Sequence, residues 1–238
     1  LPAMVPGNFE LDLMKAGLVE DLYYSTNTLK VRELEDIHLW YYTTIDITNS
    51  DQYLEFEGID TFSDIYVNGR LVKSTSNMFL PYEVDADWII GRNEVVVHIK
   101  PAVLETRKYP VPVVCNSMKY GGASLYARKA TSMYGWDIMP RIISAGLWKN
   151  VNLKVRKTDR INEVYLAVSS IDMEKKTAYI RFYVNVDISG VSAMDYTIRV
   201  EGRCGDSRFV QQQAIWHNSH AIEFTVENCK YWWPKNSG

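Results

Sequence analysis

The amino-acid sequence predicts an all-β protein made of two β-sandwiches in succession. Three observations carry this reading. Apolar residues recur at every second position in run after run, as at Leu54 and Phe56, at Val95, Val97 and Ile99, and at Ala178, Ile180, Phe182, Val184 and Val186. Turn formers separate these runs, and Asn68-Gly69 between two apolar stretches is the clearest of them. No alternation of strand and helix patterns occurs, so a (β/α)₈ barrel or a doubly wound sheet is not expected. The 238 residues are taken up by two sandwiches.

Taken in order, Phe9–Leu18 holds the one clear helical pattern, with Phe9, Leu13 and Ala16 on one face and Gly17 where a helix would stop. From Tyr41 the signal turns to β. Ile65-Tyr66-Val67 runs into Asn68-Gly69 and on to Arg70-Leu71-Val72, which predicts a hairpin whose central residues need positive φ. Gly91-Arg92-Asn93 reads as another turn, leading into the Val95–Ile99 strand that Pro101 ends. Ala102–Ala127 is long and weakly patterned, with Pro110, Pro112 and the pair Gly121-Gly122; loops of that length in a compact domain are usually functional or disordered, and this one reads as functional because it delivers the chain to Arg128–Val151. Val151, Leu153 and Val155 alternate again. The polar run Lys157–Arg160 marks the boundary, giving domains 1–157 and 158–238. Beyond it, sets at Val164, Leu166 and Val168, at Ala178–Val186, at Tyr196, Ile198 and Val200, and at Ile222, Phe224 and Val226 describe a small antiparallel sandwich. About 80 residues is short for such a domain. A final strand is therefore expected beyond the end, and the chain reads as a piece of a larger protein.

The hydrophobic fraction of 47% and charged fraction of 23% are those of an ordinary globular domain. A net charge of −3 gives no electrostatic case for nucleic acid or for an anionic membrane. The aromatic fraction, 13%, is high and rests on Tyr and Trp, which suit both pleated sheets and sugar-facing surfaces. Cys115, Cys204 and Cys229 lack metal-like or redox-like spacing, and reduced thiols are expected over a Cys204–Cys229 bridge. No apolar run approaches a membrane span, and the opening LPAMVPG lacks the basic start and apolar core of a signal peptide. The compartment stays open, with periplasmic, extracellular and lysosome-like settings all compatible.

Few residues suggest chemistry. The four histidines are scattered; His217 and His220 have a usable metal spacing but no third ligand, so both read as loop residues. There is no Gly-rich phosphate loop and no Gly-x-Ser-x-Gly elbow. No cofactor is asked for. Asp60 and Asp64 are close in sequence, with nothing else converging on them. Asn93-Glu94 and Asn162-Glu163 each carry the dipeptide that marks the acid/base residue of many retaining glycosidases. Neither follows a buried parallel strand, where barrel enzymes keep such residues, so neither is read as catalytic.

What remains is Arg128–Val151, which gathers Arg128, Lys129, Tyr134, Trp136, Asp137, Arg141 and Trp148 around Gly135, Pro140 and Gly146. Gly-Trp-Asp sets a carboxylate beside an indole on irregular backbone. An aromatic face covers the C–H side of a pyranose and a carboxylate accepts from two hydroxyls. The competing reading is a bulge whose Trp plugs a core and whose Asp caps a turn. Cleavage of a glycoside needs two carboxyls roughly 5 to 10 Å apart. The stretch has one, so it can position a sugar but not cleave it.

These residues carry a resemblance. VPGNF with LMKAGLVEDLYY, then LEFEGIDTFSDIYVNG, SNMFLPYEVD, RKATSMYGWDIMPRIISAGLWKNV and WWPKNSG follow in the order found in glycoside hydrolase family 2, and within it the β-mannosidases. The resemblance implies a jelly-roll, galactose-binding-like sandwich, then an immunoglobulin-like sandwich, then a catalytic barrel that is absent here and would hold both catalytic glutamates. It also implies that Trp136 and Asp137 hold the terminal sugar of a carbohydrate substrate in the barrel's pocket, with Arg128 and Arg141 as further candidates. Tyr134 and Trp148 are expected to pack between sheets. One departure is visible: the signature reads Trp-Asp-Trp-Gly-Pro, and here Ile138-Met139-Pro140 follow Asp137. The rival functions are a stand-alone carbohydrate-binding module and a scaffold for a β-galactosidase or β-glucuronidase barrel.

Overall fold

The computed structural model describes residues 1–115 and 121–236 and is an all-β protein. The chain divides into two compact units, Leu1–Arg156 and Lys157–Gly238.

The first unit opens with helix α1 (Phe9–Lys15), capped by the Asn8 side chain, which accepts from the Leu11 amide. Gly17 takes φ 71° just past its end, the left-handed position that stops a helix at no steric cost. Phe9 is buried and Leu13 half-buried as the pattern implies, but Ala16 is exposed, and the helix also buries Glu10 and Asp12. Two short helices that periodicity did not reveal follow elsewhere, α2 (Thr28–Val31) and α3 (Ala102–Thr106). At four and five residues they are too short for a 3.6-residue period to register. The second falls in the segment expected to be loop, part of which lies outside the described residues.

Two antiparallel sheets form the sandwich. One pairs β1 (Leu39–Ile47), β6 (Gly91–Lys100), β3 (Phe62–Val67) and β4 (Arg70–Thr75), in that order across the sheet. The other pairs β5 (Tyr82–Val84), β2 (Gln52–Phe56) and β7 (Val151–Val155). The inward side chains of both sheets, among them Leu54, Phe56, Ile65, Val67, Val97 and Ile99, make one core. The β3–β4 turn is the expected hairpin, with Asn68 at φ 49° and Gly69 at φ 78°. Gly91-Arg92-Asn93 corrects expectation. It opens β6 and pairs with Ile47, Asp46 and Ile45 of β1, so the turn falls before it. Asn93 is fully buried: its amide donates to the Ile89 and Gly91 carbonyls at 2.6 and 2.9 Å, and its oxygen accepts from Asn68 Nδ2 at 2.8 Å. That accounts for the first Asn-Glu pair as a structural latch.

The second unit holds a three-stranded sheet, β8 (Arg160–Asp172), β9 (Thr177–Asp187) and β12 (Ser219–Val226), with β9 in the centre. A hairpin of β10 (Thr197–Cys204) and β11 (Ser207–Ala214) accompanies it. Ile180, Ile222 and Phe224 pack with Ile198, Val200 and Phe209 of the hairpin. Strand β11 gave no sequence signal, because Gln211-Gln212-Gln213 interrupts the apolar pattern. Val164, Leu166 and Val168 of β8 alternate as expected but stand half-exposed, whereas the other edge strand, β12, buries Ile222, Phe224 and Val226. His220 lies within β12 rather than in a loop. All three cysteines are unpaired thiols.

Candidate functional site

The segment after Ala127 leaves the sandwich, runs out to a tight turn and returns. On the way out the Arg128 carbonyl accepts from the Met78 amide at 3.0 Å, and the next residue, Lys129, dives into the interior with 1% of its side chain exposed. A short 3₁₀ turn at Thr131–Tyr134 follows. Gly135, at φ 103°, redirects the chain into the tip. There Trp136 N–H donates to the Met139 carbonyl at 3.2 Å and Met139 N–H donates back to the Trp136 carbonyl, so Asp137 and Ile138 are the two central residues of a closed turn. Ile142 N–H donates to the Met133 carbonyl at 3.0 Å, tying the two limbs together.

The turn presents its tip to solvent. Trp136 is 72% exposed, and Ile138 90%. Asp137 is exposed and, among the described residues, makes no hydrogen bond or ion pair. An indole that plugged a core would be buried, and a carboxylate that capped a turn would accept a nearby amide; the structure has neither. An exposed indole and an exposed carboxylate therefore stand side by side on a closed turn.

The two arginines behave differently. Arg141 folds back onto Glu35 with Nε at 2.8 Å from Oε1 and NH2 at 2.7 Å from Oε2, and its guanidinium lies 5.6 Å from the centre of the Tyr134 ring. It is engaged in holding the loop. The Arg128 side chain is exposed. Tyr134 is buried, its hydroxyl without a hydrogen-bond partner among the described residues, and burial pushes that hydroxyl up to about 12. Trp148 is half-buried and its indole N–H donates to the Met78 carbonyl at 3.0 Å. Neither packs between the two sheets as expected: Tyr134 joins a separate cluster with Ala102, Val103, Ala127 and Ile143, and Trp148 is only half-buried.

Sequence reasoning passed over the residues beneath the loop. Asp60, read as isolated, meets Lys129 Nζ with both carboxylate oxygens at 2.5 Å, and accepts from the Thr61 hydroxyl as well. Lys129 also donates to the Ser144 carbonyl at 2.5 Å, and the Ser144 hydroxyl donates to Glu10 at 2.9 Å. Burial pulls the Lys129 ammonium below the ordinary lysine range, against the opposing pull of Asp60. Burial raises the Glu10 carboxyl to about 7, with the Ser144 hydrogen bond and Lys129 opposing. The available signal was Lys129 itself, a lysine spaced from Asp60 by 69 residues, a distance that no local period spans.

A cavity of about 810 Å³ lies elsewhere in the unit. It opens alongside β1 and β7 and is lined by Trp40, Tyr42, Asn152 and Leu153 among others, and no residue of the Trp136 turn borders it.

Fold and sequence together define the class: an antiparallel sandwich of the galactose-binding-like kind, bearing a projecting loop. The chain belongs to the glycosyl hydrolase 2 galactose-binding domain-like family, whose profile matches residues 1–149. Similar curated proteins include a β-mannosidase B of Aspergillus niger, 28% identical over 250 residues, covering 99% of this chain and 29% of that protein. A β-mannosidase of Mus musculus is 26% identical over 261 residues, covering 100% and 29%. The crystal structure of a β-D-mannosidase from Dictyoglomus thermophilum superposes with a TM-score of 0.75 at 28% identity, covering 98% of this chain and 30% of that one. An exo-chitosanase from Amycolatopsis orientalis shares the fold, with a TM-score of 0.62 at 16% identity over 100% of this chain and 26% of its own. The chain spans about 29% of the length of the curated relatives it matches.

Proposed function

We propose that this chain is the N-terminal, non-catalytic portion of a retaining, exo-acting β-mannosidase. Residues 1–157 form its jelly-roll domain and 158–238 its immunoglobulin-like domain. Both catalytic glutamates sit in a barrel domain of the same polypeptide, outside this chain. The loop tip supplies one wall of the pocket for the terminal mannose: Asp137 accepts hydroxyls remote from the reacting carbon, and Trp136 packs on the C–H face of the ring or fixes Asp137. Arg141 acts by holding the loop, and Arg128 stands close in sequence as a further contact.

One observation supports this best: Trp136 and Asp137 stand exposed on a closed turn whose limbs are bonded to each other and whose base is buried. Contacts of this kind raise the rate when they orient the reacting ring, because binding energy remote from the bond is used on positioning.

The test is Asp137→Ala in a polypeptide that includes the catalytic domain. We expect kcat/KM for a terminal β-mannoside to fall at least tenfold. A loss below about threefold, under about 1 kcal/mol, sinks the reading. We expect the 238-residue chain alone to hydrolyse no nitrophenyl β-mannoside, and turnover by the pure chain would overturn that. Micromolar binding of mannose by the chain alone would favour the binding-module alternative instead.

A further inference from the structure

We infer that Lys129 is a positioning residue: its buried ammonium clamps both ends of the loop that carries Trp136 and Asp137, and so fixes where that pair points. This rests on the sugar-facing reading of the loop for its consequence, though not for its geometry.

The geometry is unusual for a lysine. Its side chain is 1% exposed, and that of its partner Asp60 is 3% exposed. Lysine is seldom buried this way without a definite partner set, because the desolvation cost is large. Here the three donors of the ammonium meet Asp60 Oδ1, Asp60 Oδ2 and the Ser144 carbonyl, each at 2.5 Å. Asp60 is itself fastened to the sandwich: its amide donates to the Gly146 carbonyl at 2.9 Å and Gly146 N–H donates to its carbonyl at 3.3 Å. Lys129 leads into the loop and Ser144 leads out of it. One cation therefore pins entry and exit to one carboxylate, on the segment that leads into β3 and bridges Gly146. On the exit side the Ser144 hydroxyl adds a second tie, to Glu10 of α1. Stability alone does not call for this device, since a buried ion pair is often matched by apolar residues of similar volume. What an apolar patch lacks is the fixed, three-point direction of an ammonium between two carboxylate oxygens and a carbonyl.

The loop's own backbone bonds supply a readout. Gly135, Trp136, Met139 and Ile142 each donate an amide to a carbonyl within the loop. Removing Lys129 alone would leave Asp60 as an uncompensated buried charge and threaten the fold, so the clamp is best removed as a pair, Lys129→Met with Asp60→Asn. In this double variant of the 238-residue chain we expect those four amides to exchange hydrogen at least about tenfold faster, while amides of β3 and β6 stay within about twofold. If the four exchange at the original rate, or speed up only in step with β3 and β6, the clamp is wrong, whatever the loop binds.

A second arm places the same double change in a polypeptide containing the catalytic domain, alone and on top of Asp137→Ala. We expect a loss of about tenfold in kcat/KM in the parent background and under about twofold in the Asp137→Ala background, because the clamp acts through that carboxylate. Equal losses in both backgrounds overturn the positioning role. If Asp137→Ala itself does nothing while the four loop amides still loosen in the double variant, the clamp stands and the sugar reading falls.

Discussion

Arg141 grips Glu35 with two parallel hydrogen bonds, 2.8 Å from Nε to Oε1 and 2.7 Å from NH2 to Oε2, across 106 residues of sequence. The side chains are 10% and 14% exposed, so the pair is shielded from water on most sides. This bond ties the returning limb of the loop to the short 3₁₀ turn Arg32–Leu34 and the residue after it. Such forked pairs are directional, and breaking one partner in a dry site costs more than making the pair gained.

Glu35→Ala should therefore destabilise the first unit by about 3 kcal/mol. For a unit of this length that is a fall of about 10 °C in its melting temperature, which calorimetry resolves. Glu35→Gln keeps one acceptor and should cost less than half as much. A melting point unchanged in Glu35→Ala would mean that Arg141 does not brace the loop.

Glu10 gives a prediction in pH. Its carboxyl is raised from 4.5 to about 7, chiefly by burial, and one of its oxygens is buried without a hydrogen-bond partner among the described residues. Between those two values the folded protein holds a proton that the unfolded chain has released. Stability is thus favoured at low pH and is lost as pH rises from about 4.5 through about 7, by about 3 kcal/mol in all. Glu10→Gln has nothing to titrate. Denaturant unfolding of both proteins at pH 4.5 and pH 8 should show the variant gaining on the parent by about 3 kcal/mol at the higher pH. Parallel curves across that range would refute the assignment.

Asn93 anchors a third prediction. Its side chain serves the Ile89 amide, the Ile89 and Gly91 carbonyls and Asn68, and the Asn68 side chain in turn accepts from the Glu94 amide at 2.9 Å. Asn93→Ala leaves several buried groups without partners and should cost about 3 kcal/mol. The Glu94 carboxylate, among the described residues, accepts from the Tyr42 hydroxyl on an exposed face. Glu94→Gln should then leave kcat of an enzyme containing this chain within about twofold. A catalytic role would cost orders of magnitude, and the two outcomes are far apart.

What could be read in advance follows the range of the interaction. The Asn68-Gly69 hairpin and the buried alternation at Leu54 and Phe56 depend on neighbours within a few residues, and each was legible from spacing alone. Exposure of the Trp136 tip was legible only as one of two readings, because a Gly-Trp-Asp step has the same spacing whether the indole turns in or out. The base of the loop was not legible at all. Lys129 meets Asp60 across 69 residues, and Ser144 meets Glu10 across 134. No periodicity reaches so far, and a lysine and an aspartate look like surface residues until the fold buries them. Strand β8 erred the other way: alternation marks the face a strand turns inward, yet not whether a second layer covers it, and Val168 stands 52% exposed.

Gly135 carries the last prediction. It sits at φ 103° and ψ 128°, a region that a Cβ makes costly, by about 1 to 3 kcal/mol. The strain of Gly135→Ala has two outlets. Either the whole unit absorbs it and melts lower, or the tip swings to an easier conformation and the sandwich is untouched. The second is favoured because, among the described residues, the tip is closed by the Trp136–Met139 bonds, whereas the base is held by the buried Lys129 and by Arg141. Gly135→Ala should accordingly shift the melting point by under about 3 °C. In an enzyme containing the catalytic domain it should lower kcat/KM for a terminal β-mannoside about tenfold, because a displaced Trp136–Asp137 pair no longer meets the ring. Full activity together with a large drop in melting point would show that the tip is rigid in its own right and that its direction does not matter to the substrate.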